Sequence, residues 1–159
     1  MIRQCAKCEF WNTDSRPPEV FGWARWRFDI DKAKRLCAVF SKPASFGRKA
    51  MRPKYFPIAD LAAFIQWPPR TPIQGWAALD FRRPIDPAHV EHVDIDLPVI
   101  LATPTMGLEK IFRGSPGFLM LIDGAHRVAK AMQLGIPGLD AYVLNERATR
   151  FVLDVEEAD

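Results

Sequence analysis

The sequence predicts an α+β fold in which helices pack on a small mixed sheet, with an N-terminal extension. Its 159 residues fit one domain, and 48% of them are apolar, which is enough to build a buried core. A wholly apolar run at 118–122 leads through a glycine into an amphipathic stretch, as expected where a buried strand turns into a helix. We expect the extension at 1–56, the main domain at 57–153 and an acidic tail at 154–159.

The first two-thirds of the chain hold most of the 14 prolines, so we expect short elements and ordered turns there. Apolar residues at helical spacing predict a helix within 23–40, and a second, shorter helix within 57–65. Asp86 and Pro87 predict a helix start, with Asp as the N-cap and Pro at the first helical position. A strand is predicted at 98–102. The remaining stretches are predicted to be connections, at 41–57, 66–85 and 103–117.

The last third carries the clearest pattern. After the apolar run, which predicts a buried strand, an amphipathic helix is predicted at 125–134, ending at Gly135, and a second strand at 141–144. This strand–helix–strand order predicts two parallel strands joined by a right-handed crossover. Asn145 is a suitable cap for a final helix at 146–153, after which the acidic tail is expected to fray.

Bulk properties exclude several classes of protein. No apolar run is long enough to span a membrane, and the first residues lack the pattern of a signal peptide. Three cysteines, an odd number, do not make a disulfide framework. We therefore expect a cytoplasmic protein with no membrane partner.

The net charge of +3 hides a strongly basic segment at 21–59, which holds ten Lys or Arg against two Asp. Aromatic residues are interleaved with these cations, among them Trp26, Phe28, Phe40 and Phe46. Cations interleaved with aromatics suit a polyanion, so DNA is one expected partner of this segment. The alternative is an ordinary solvated face above core aromatics.

The most informative chemical motif is the run Asp-Gly-Ala-His-Arg at 123–127. It lies where the predicted strand turns into a helix, and the amide N–H groups of a helix start favour bound anions. Gly124 lets the backbone approach an anion closely, and His126 and Arg127 place hydrogen-bonding side chains in the same turn. One turn further, Lys130 shares a stripe with His126. The corner therefore suits a phosphate group; the alternative is a capped surface helix with ordinary polar residues.

This motif resembles the ParB/sulfiredoxin superfamily, in which a Gly-x-[His/Arg]-Arg signature at a helix start holds nucleotide phosphates. The resemblance covers 97–152. The residues that carry it are Gly124, His126, Arg127, Ala131 and Gly135. It implies a fold of ParB/sulfiredoxin type and a protein that binds ATP or CTP with Mg²⁺. The implied activity is phosphoryl transfer or hydrolysis, as in ParB-like ATPases, CTPases and nucleases, on or with DNA.

The branches of the superfamily differ at this motif. Sulfiredoxins place their catalytic Cys where this chain has Ala125, so repair of sulfinic acids by that route is not expected. Chromosome-partition ParB proteins have Arg in place of His126 and add further domains, for which the few residues after 152 leave no room. Asp123 before the glycine is closest to free-serine kinases and to small ParB-like proteins. The alternatives are therefore a small-molecule kinase, or a non-catalytic DNA- or protein-binding module.

The resemblance assigns roles residue by residue. The catalytic set is Asp123, His126 and Arg127. The phosphate-binding set is Gly124, Ala125, His126, Arg127 and Lys130. Asp123 is also the expected Mg²⁺ ligand. A general base, if one is needed, is expected from the acids at Glu91, Asp94 or Asp96.

Two other groups of residues have metal-ligand character. His89 and His92, with Glu91 close by, have spacing compatible with a transition metal, although imidazoles in one helical turn also arise by chance. Cys5 and Cys8 have the spacing of half a zinc site, and the alternative there is a pair of ordinary reduced thiols.

Overall fold

A four-stranded mixed sheet lies at the centre of the computed structural model, which describes residues 20–23, 26–40, 51–65, 85–103 and 119–155. Along the chain, the strands are β1 (Val20–Trp23), β2 (Trp26–Asp29), β3 (Lys54–Pro57), β4 (Val99–Ala102), β5 (Met120–Asp123), β6 (Gly138–Leu144) and β7 (Leu153–Val155). The helices are α1 (Ile30–Phe40), α2 (Ile58–Ile65), α3 (Pro87–His92), α4 (Ala125–Gln133) and α5 (Glu146–Val152).

The central sheet has the strand order β3-β6-β4-β5. β4 runs parallel to β6 and antiparallel to β5, and β3 runs antiparallel to β6. A smaller antiparallel sheet has the order β1-β2-β7. All four residues of β4 are buried, which is the pattern of a strand covered on both faces. The described structure is thus a mixed α+β fold, as predicted.

Alternate residues of β4 belong to different hydrophobic clusters, because successive side chains of a strand point to opposite faces. Val99 and Leu101 pack with the buried residues of α2 and α4, including Leu61 and Val128. On the other face of the sheet, α1, α5, β2 and β7 help to build a second hydrophobic cluster. Its buried members are Phe28, Ile30, Ala33, Cys37, Ile100, Ala102, Met120, Ile122, Leu144, Val152 and Leu153.

The segment predicted as an N-terminal extension supplies much of this second cover. Phe28, Ile30 and Ala33 are fully buried against the central sheet. The boundary predicted at 56/57 falls inside β3, which pairs with β6 in the central sheet. The described part of the extension is therefore built into the same core as the predicted domain.

Several local predictions are confirmed. Asp86 caps α3, since its Oδ1 accepts a hydrogen bond from the Ala88 amide at 3.0 Å. Asn145 caps α5 in the same way through the Ala148 amide, at 2.8 Å. Gly135 ends α4 with a φ of +67°. The predicted strands and helices near 58–65, 98–102, 118–122 and 125–134 all form within a residue or two of these bounds.

The structure corrects four predictions. The helix predicted within 23–40 forms at Ile30–Phe40, but the same range also contains β2, which was not predicted. The connection predicted at 41–57 contains β3. The tail is not frayed at its start, because β7 pairs with β2. These strands have three or four residues, too few for an alternating pattern to be recognised.

The fourth correction concerns the crossover, which does not join a parallel pair. β5 and β6 both flank β4, and β5 runs antiparallel to it. Asp123 lies opposite Ile100 and Ala141 lies opposite Val99, so β5 ends at the edge of the sheet where β4 begins. β4 comes earlier in the chain and inserts between the two strands, which a local pattern cannot reveal.

None of the helices in the described ranges has the length and apolar character that a membrane span requires.

Replacing Gly124 with Ala is expected to destabilise the protein by more than about 2 kcal/mol. Gly124 has a φ of +108°, and an added Cβ would lie 2.8 Å from Cβ of Val99. Gly135 is a matched control, since its φ is also positive but nothing lies within 4 Å of an added Cβ. Gly135→Ala should therefore cost only the strain, about 1 kcal/mol. Urea unfolding followed by circular dichroism measures both, and equal losses would contradict the close contact with β4.

Candidate functional site

The strand–glycine–helix corner predicted from the sequence forms where β5 meets α4. β5 ends at Asp123, and Gly124 occupies the N-cap position of α4 in a left-handed conformation. As the N-cap residue, Gly124 has no side chain with which to cap this helix, and the hydrogen-bond ladder begins with the Val128 amide donating to the Gly124 carbonyl at 3.0 Å. The amides of the first turn precede that bond, so they have no partner within the ladder. An uncapped helix start with this geometry is suited to an anion.

Arg127 lies in this first turn, but its guanidinium is directed at protein atoms. Nη1 donates to the backbone oxygens of Leu97, at 3.0 Å, and Pro98, at 2.6 Å. Nη2 donates to Oδ2 of Asp123 at 2.7 Å. The side chain is only 12% exposed. Arg127 thus ties the end of β5 and the first turn of α4 to the segment that leads into β4.

Asp123 lies between two cations. Its carboxylate is 9% exposed, bonded to Arg127, and 3.9 Å from Nζ of Lys34 on α1. A metal ion would have to compete with both cations for these oxygens, so the carboxylate as placed is a poor fit to a metal ligand. Among the residues that the structure describes, no three His, Cys, Asp or Glu side chains are grouped to hold a metal ion. The arrangement favours a positioning role for Asp123.

His126 joins α4 to the start of α3. Its Nε2 accepts a hydrogen bond from the Asp86 amide at 3.2 Å. Its ring also packs edge-on against His89, with the two ring centroids 4.4 Å apart. Only an unprotonated Nε2 can accept this hydrogen bond, so a proton on Nε2 would remove the bond to the Asp86 amide.

Lys130 joins α4 to the end of α3. Its Nζ donates to the backbone oxygens of Glu91, at 3.2 Å, and Val93, at 2.8 Å. A cation at the carbonyl end of a helix is electrostatically favourable. His126 and Lys130 therefore hold both ends of α3 against the polar stripe of α4.

The structure thus brings the predicted motif residues together, at 123–127, with Lys130 one turn away. It places Glu91 in the last turn of α3, and Asp94 and Asp96 on the segment between α3 and β4. All three acids are exposed, and Oδ1 of Asp94 accepts from the Asp96 amide at 2.9 Å. His89 and His92 do not join a third ligand among the described residues. Cys5 and Cys8 lie outside the described residues.

Three residues that contribute to the corner are not evident from the motif: Leu97, Pro98 and Lys34. The backbone oxygens of Leu97 and Pro98 carry no side-chain signal, so nothing in the sequence marks them as partners of Arg127. Lys34 has a weak signal, because it adjoins the buried stripe of α1 formed by Ala33 and Cys37 and so lies at the edge of the face that packs on the sheet.

Cys37 is buried on α1, on the same side of the sheet as Asp123. Burial, with a further contribution from the negative charge of Asp123, raises the pKa of the Cys37 thiol to about 11. The thiol therefore stays protonated at neutral pH and behaves as a small core side chain.

Comparisons of the chain with models of known protein families, with curated proteins and with solved structures find no match.

Arg127→Leu is expected to lower the free energy of unfolding by about 3 kcal/mol, because it leaves the nearly buried Asp123 carboxylate without its partner. Arg150→Leu is a matched control: Arg150 forms the same i, i+4 pair with Glu146 at 3.0 Å, but their side chains are 57% and 62% exposed. We expect that change to cost less than about 0.5 kcal/mol. Denaturant titration compares the two, and similar losses would mean that Arg127 is not a structural tie.

Cys37 should resist thiol reagents in the folded protein. In a Cys5→Ser, Cys8→Ser variant at pH 8, only about one thiol in a thousand would be ionised at a pKa near 11. Labelling with a chromogenic disulfide should then proceed only as fast as the protein unfolds, and guanidinium should make it immediate. Rapid labelling in native buffer would contradict the burial of this thiol.

Proposed function

We propose that this chain binds the phosphates of a nucleoside triphosphate, ATP or CTP, at the start of α4 and catalyses phosphoryl transfer or hydrolysis. The observation that carries the proposal is the uncapped first turn of α4, entered through the left-handed Gly124. Its resemblance to the ParB/sulfiredoxin signature adds the nucleotide as the ligand class. Backbone amides and a helix dipole together favour a polyphosphate at such a turn.

In this proposal the backbone contacts the ligand and the charged side chains frame it. The amides at Ala125 and His126 donate to phosphate oxygens, while the absence of a Cβ at Gly124 lets this turn pack closely against Val99 of β4. Arg127 is a positioning residue, since three of its hydrogen bonds go to protein acceptors. Its charge, offset by Asp123 and supplemented by Lys34, adds to the positive potential of the corner.

The reaction requires an oxygen nucleophile to attack the γ-phosphorus while the bond to the leaving nucleoside diphosphate breaks. The acids at Glu91, Asp94 and Asp96 are the proposed source of a general base, because Lys130 holds their segment against α4. Mg²⁺ enters the proposal with the nucleotide, where it would neutralise charge on the phosphates. Asp123, which is already bonded to Arg127, is not proposed as a ligand of Mg²⁺.

DNA is proposed as a partner through the basic segment 21–59. In the described part of this segment, exposed cations lie on β2, α1 and β3 and in the residues before β3. They are Arg27, Arg35, Arg52 and Lys54. Such cations bind phosphates without reading sequence, so the affinity should fall steeply with salt.

A second candidate function is a non-catalytic binding module on the same fold. It is favoured by a specific observation: the side chains of His126, Arg127 and Lys130 all bond to protein atoms. In that case the motif serves only to hold α3 and the segment before β4 in place. A protein that shifts DNA in a gel but gains no stability from any nucleotide would support the module.

The nucleotide proposal predicts that ATP or CTP with Mg²⁺ raises the melting temperature, because a ligand that binds only the folded state stabilises it by mass action. Ala125→Asp places a carboxylate in the phosphate site while favouring the helix dipole, so the fold should survive. We expect affinity, measured by calorimetry, to fall at least tenfold.

Ala59→Asp is the matched control, because Ala59 is an exposed residue in the first turn of α2. It should leave nucleotide affinity unchanged. Absence of a thermal shift with every nucleotide tested, or equal losses in the two variants, would contradict nucleotide binding at α4. Release of phosphate from a bound nucleotide then decides between hydrolysis and simple binding.

A further inference from the structure

A groove between α1 and α5 lies apart from the α4 corner that is proposed to bind nucleotide, and it shares only Arg35 with the cations proposed to contact DNA. It encloses about 360 Å³ and is lined by Lys32, Arg35, Leu36, Val39, Phe40 and Phe151. This volume is at the lower end of the roughly 300–1,000 Å³ range of ligand pockets, so it admits a few side chains.

The lining residues of α1 form one stripe along the helix. Lys32, Arg35, Leu36, Val39 and Phe40 follow the i, i+3, i+4, i+7, i+8 spacing of a single helix face. The core uses another face of the same helix. Because the cations are in its first half and the apolar side chains are towards its end, the stripe presents a charged end and an apolar end.

The apolar end of the groove is unusually open. Val39 is 63% exposed and Phe151 is 56% exposed, although both are large apolar side chains. Lys32 lies against Phe151, with Nζ 4.2 Å from the centroid of the Phe151 ring. Cations and exposed apolar side chains thus share one small surface.

We propose that this groove binds an acidic amphipathic segment of a partner protein. A large apolar side chain of the partner fills the space between Val39 and Phe151, and carboxylates of the partner pair with Lys32 and Arg35. Helix-in-groove recognition joins an apolar stripe to a groove in this manner, and the charges set orientation and specificity.

Charge and chemistry argue against two other occupants. A second copy of this chain packed groove to groove would bring Lys32 and Arg35 against their own equivalents, which is repulsive. Single-stranded nucleic acid stacks its bases on aromatic faces, but one side of the Phe151 ring carries the Lys32 ammonium, and Leu36 and Val39 are aliphatic.

The test uses the full chain and fluorescein-labelled helical peptides of about 14 residues. The probe has a stripe of Leu flanked by Glu; comparison peptides replace the Leu with Ser or the Glu with Lys, and labelled oligo(dT) represents nucleic acid. Among the three peptides, fluorescence polarisation should show binding of the acidic Leu peptide only. Arg35→Glu and Val39→Asp should each weaken it at least tenfold.

Ala59→Asp is the matched control for Val39→Asp, because Ala59 is exposed in the first turn of α2, outside the groove and outside the cations proposed for DNA. It should change affinity less than twofold, and circular dichroism checks that all variants are folded. Failure of the acidic peptide to bind at about 1 mM overturns the proposal. So does an equal loss in Ala59→Asp, or binding of oligo(dT) with the same sensitivity to Arg35 and Val39.

Discussion

The guanidinium of Arg127 joins the first turn of α4 to the end of β5 and to the segment just before β4. It bonds to Asp123 at the end of β5, and to the oxygens of Leu97 and Pro98 just before β4. These bonds set where α4 starts relative to the edge of the central sheet. Gly124 adds a second constraint, since the helix start lies so close to Val99 that no Cβ fits. Together they place an uncapped helix start at a defined position on a rigid edge.

The polar face of α4 extends this arrangement. His126 and Lys130 hold the two ends of α3, so the segment at 85–98 is attached along the helix at three points when Arg127 is included. On the other side of the sheet, α1 brings Lys34 close to Asp123 and buries Cys37 nearby. The corner therefore draws on the N-terminal segment as well as on the motif, and its electrostatics cannot be understood from 123–127 alone.

Sequence reasoning was most successful where a signal is local. Caps at Asp86 and Asn145, and the helix stop at Gly135, depend on the chemistry of one or two residues and formed as predicted. It failed where partners are remote in sequence. β4 inserts between β5 and β6, and the short strands β3 and β7 form by pairing with β6 and β2. At the candidate site, the strand–glycine–helix corner predicted from the motif forms. The motif did not indicate that the charged side chains bond inward, because their acceptors are mostly backbone oxygens.

In the proposed site, backbone amides bind the ligand and Arg127 holds the surrounding backbone in place. Nuclear magnetic resonance tests this assignment directly. The ¹⁵N-labelled full chain is titrated with a non-hydrolysable ATP or CTP analogue and Mg²⁺. The amide resonances at Ala125 and His126 should shift most, while the side-chain Nε–H resonance of Arg127 stays nearly fixed, because its guanidinium keeps its protein partners. Unmoved amides in the first turn of α4, or a large shift of the Arg127 side chain with the amides unchanged, would contradict this arrangement.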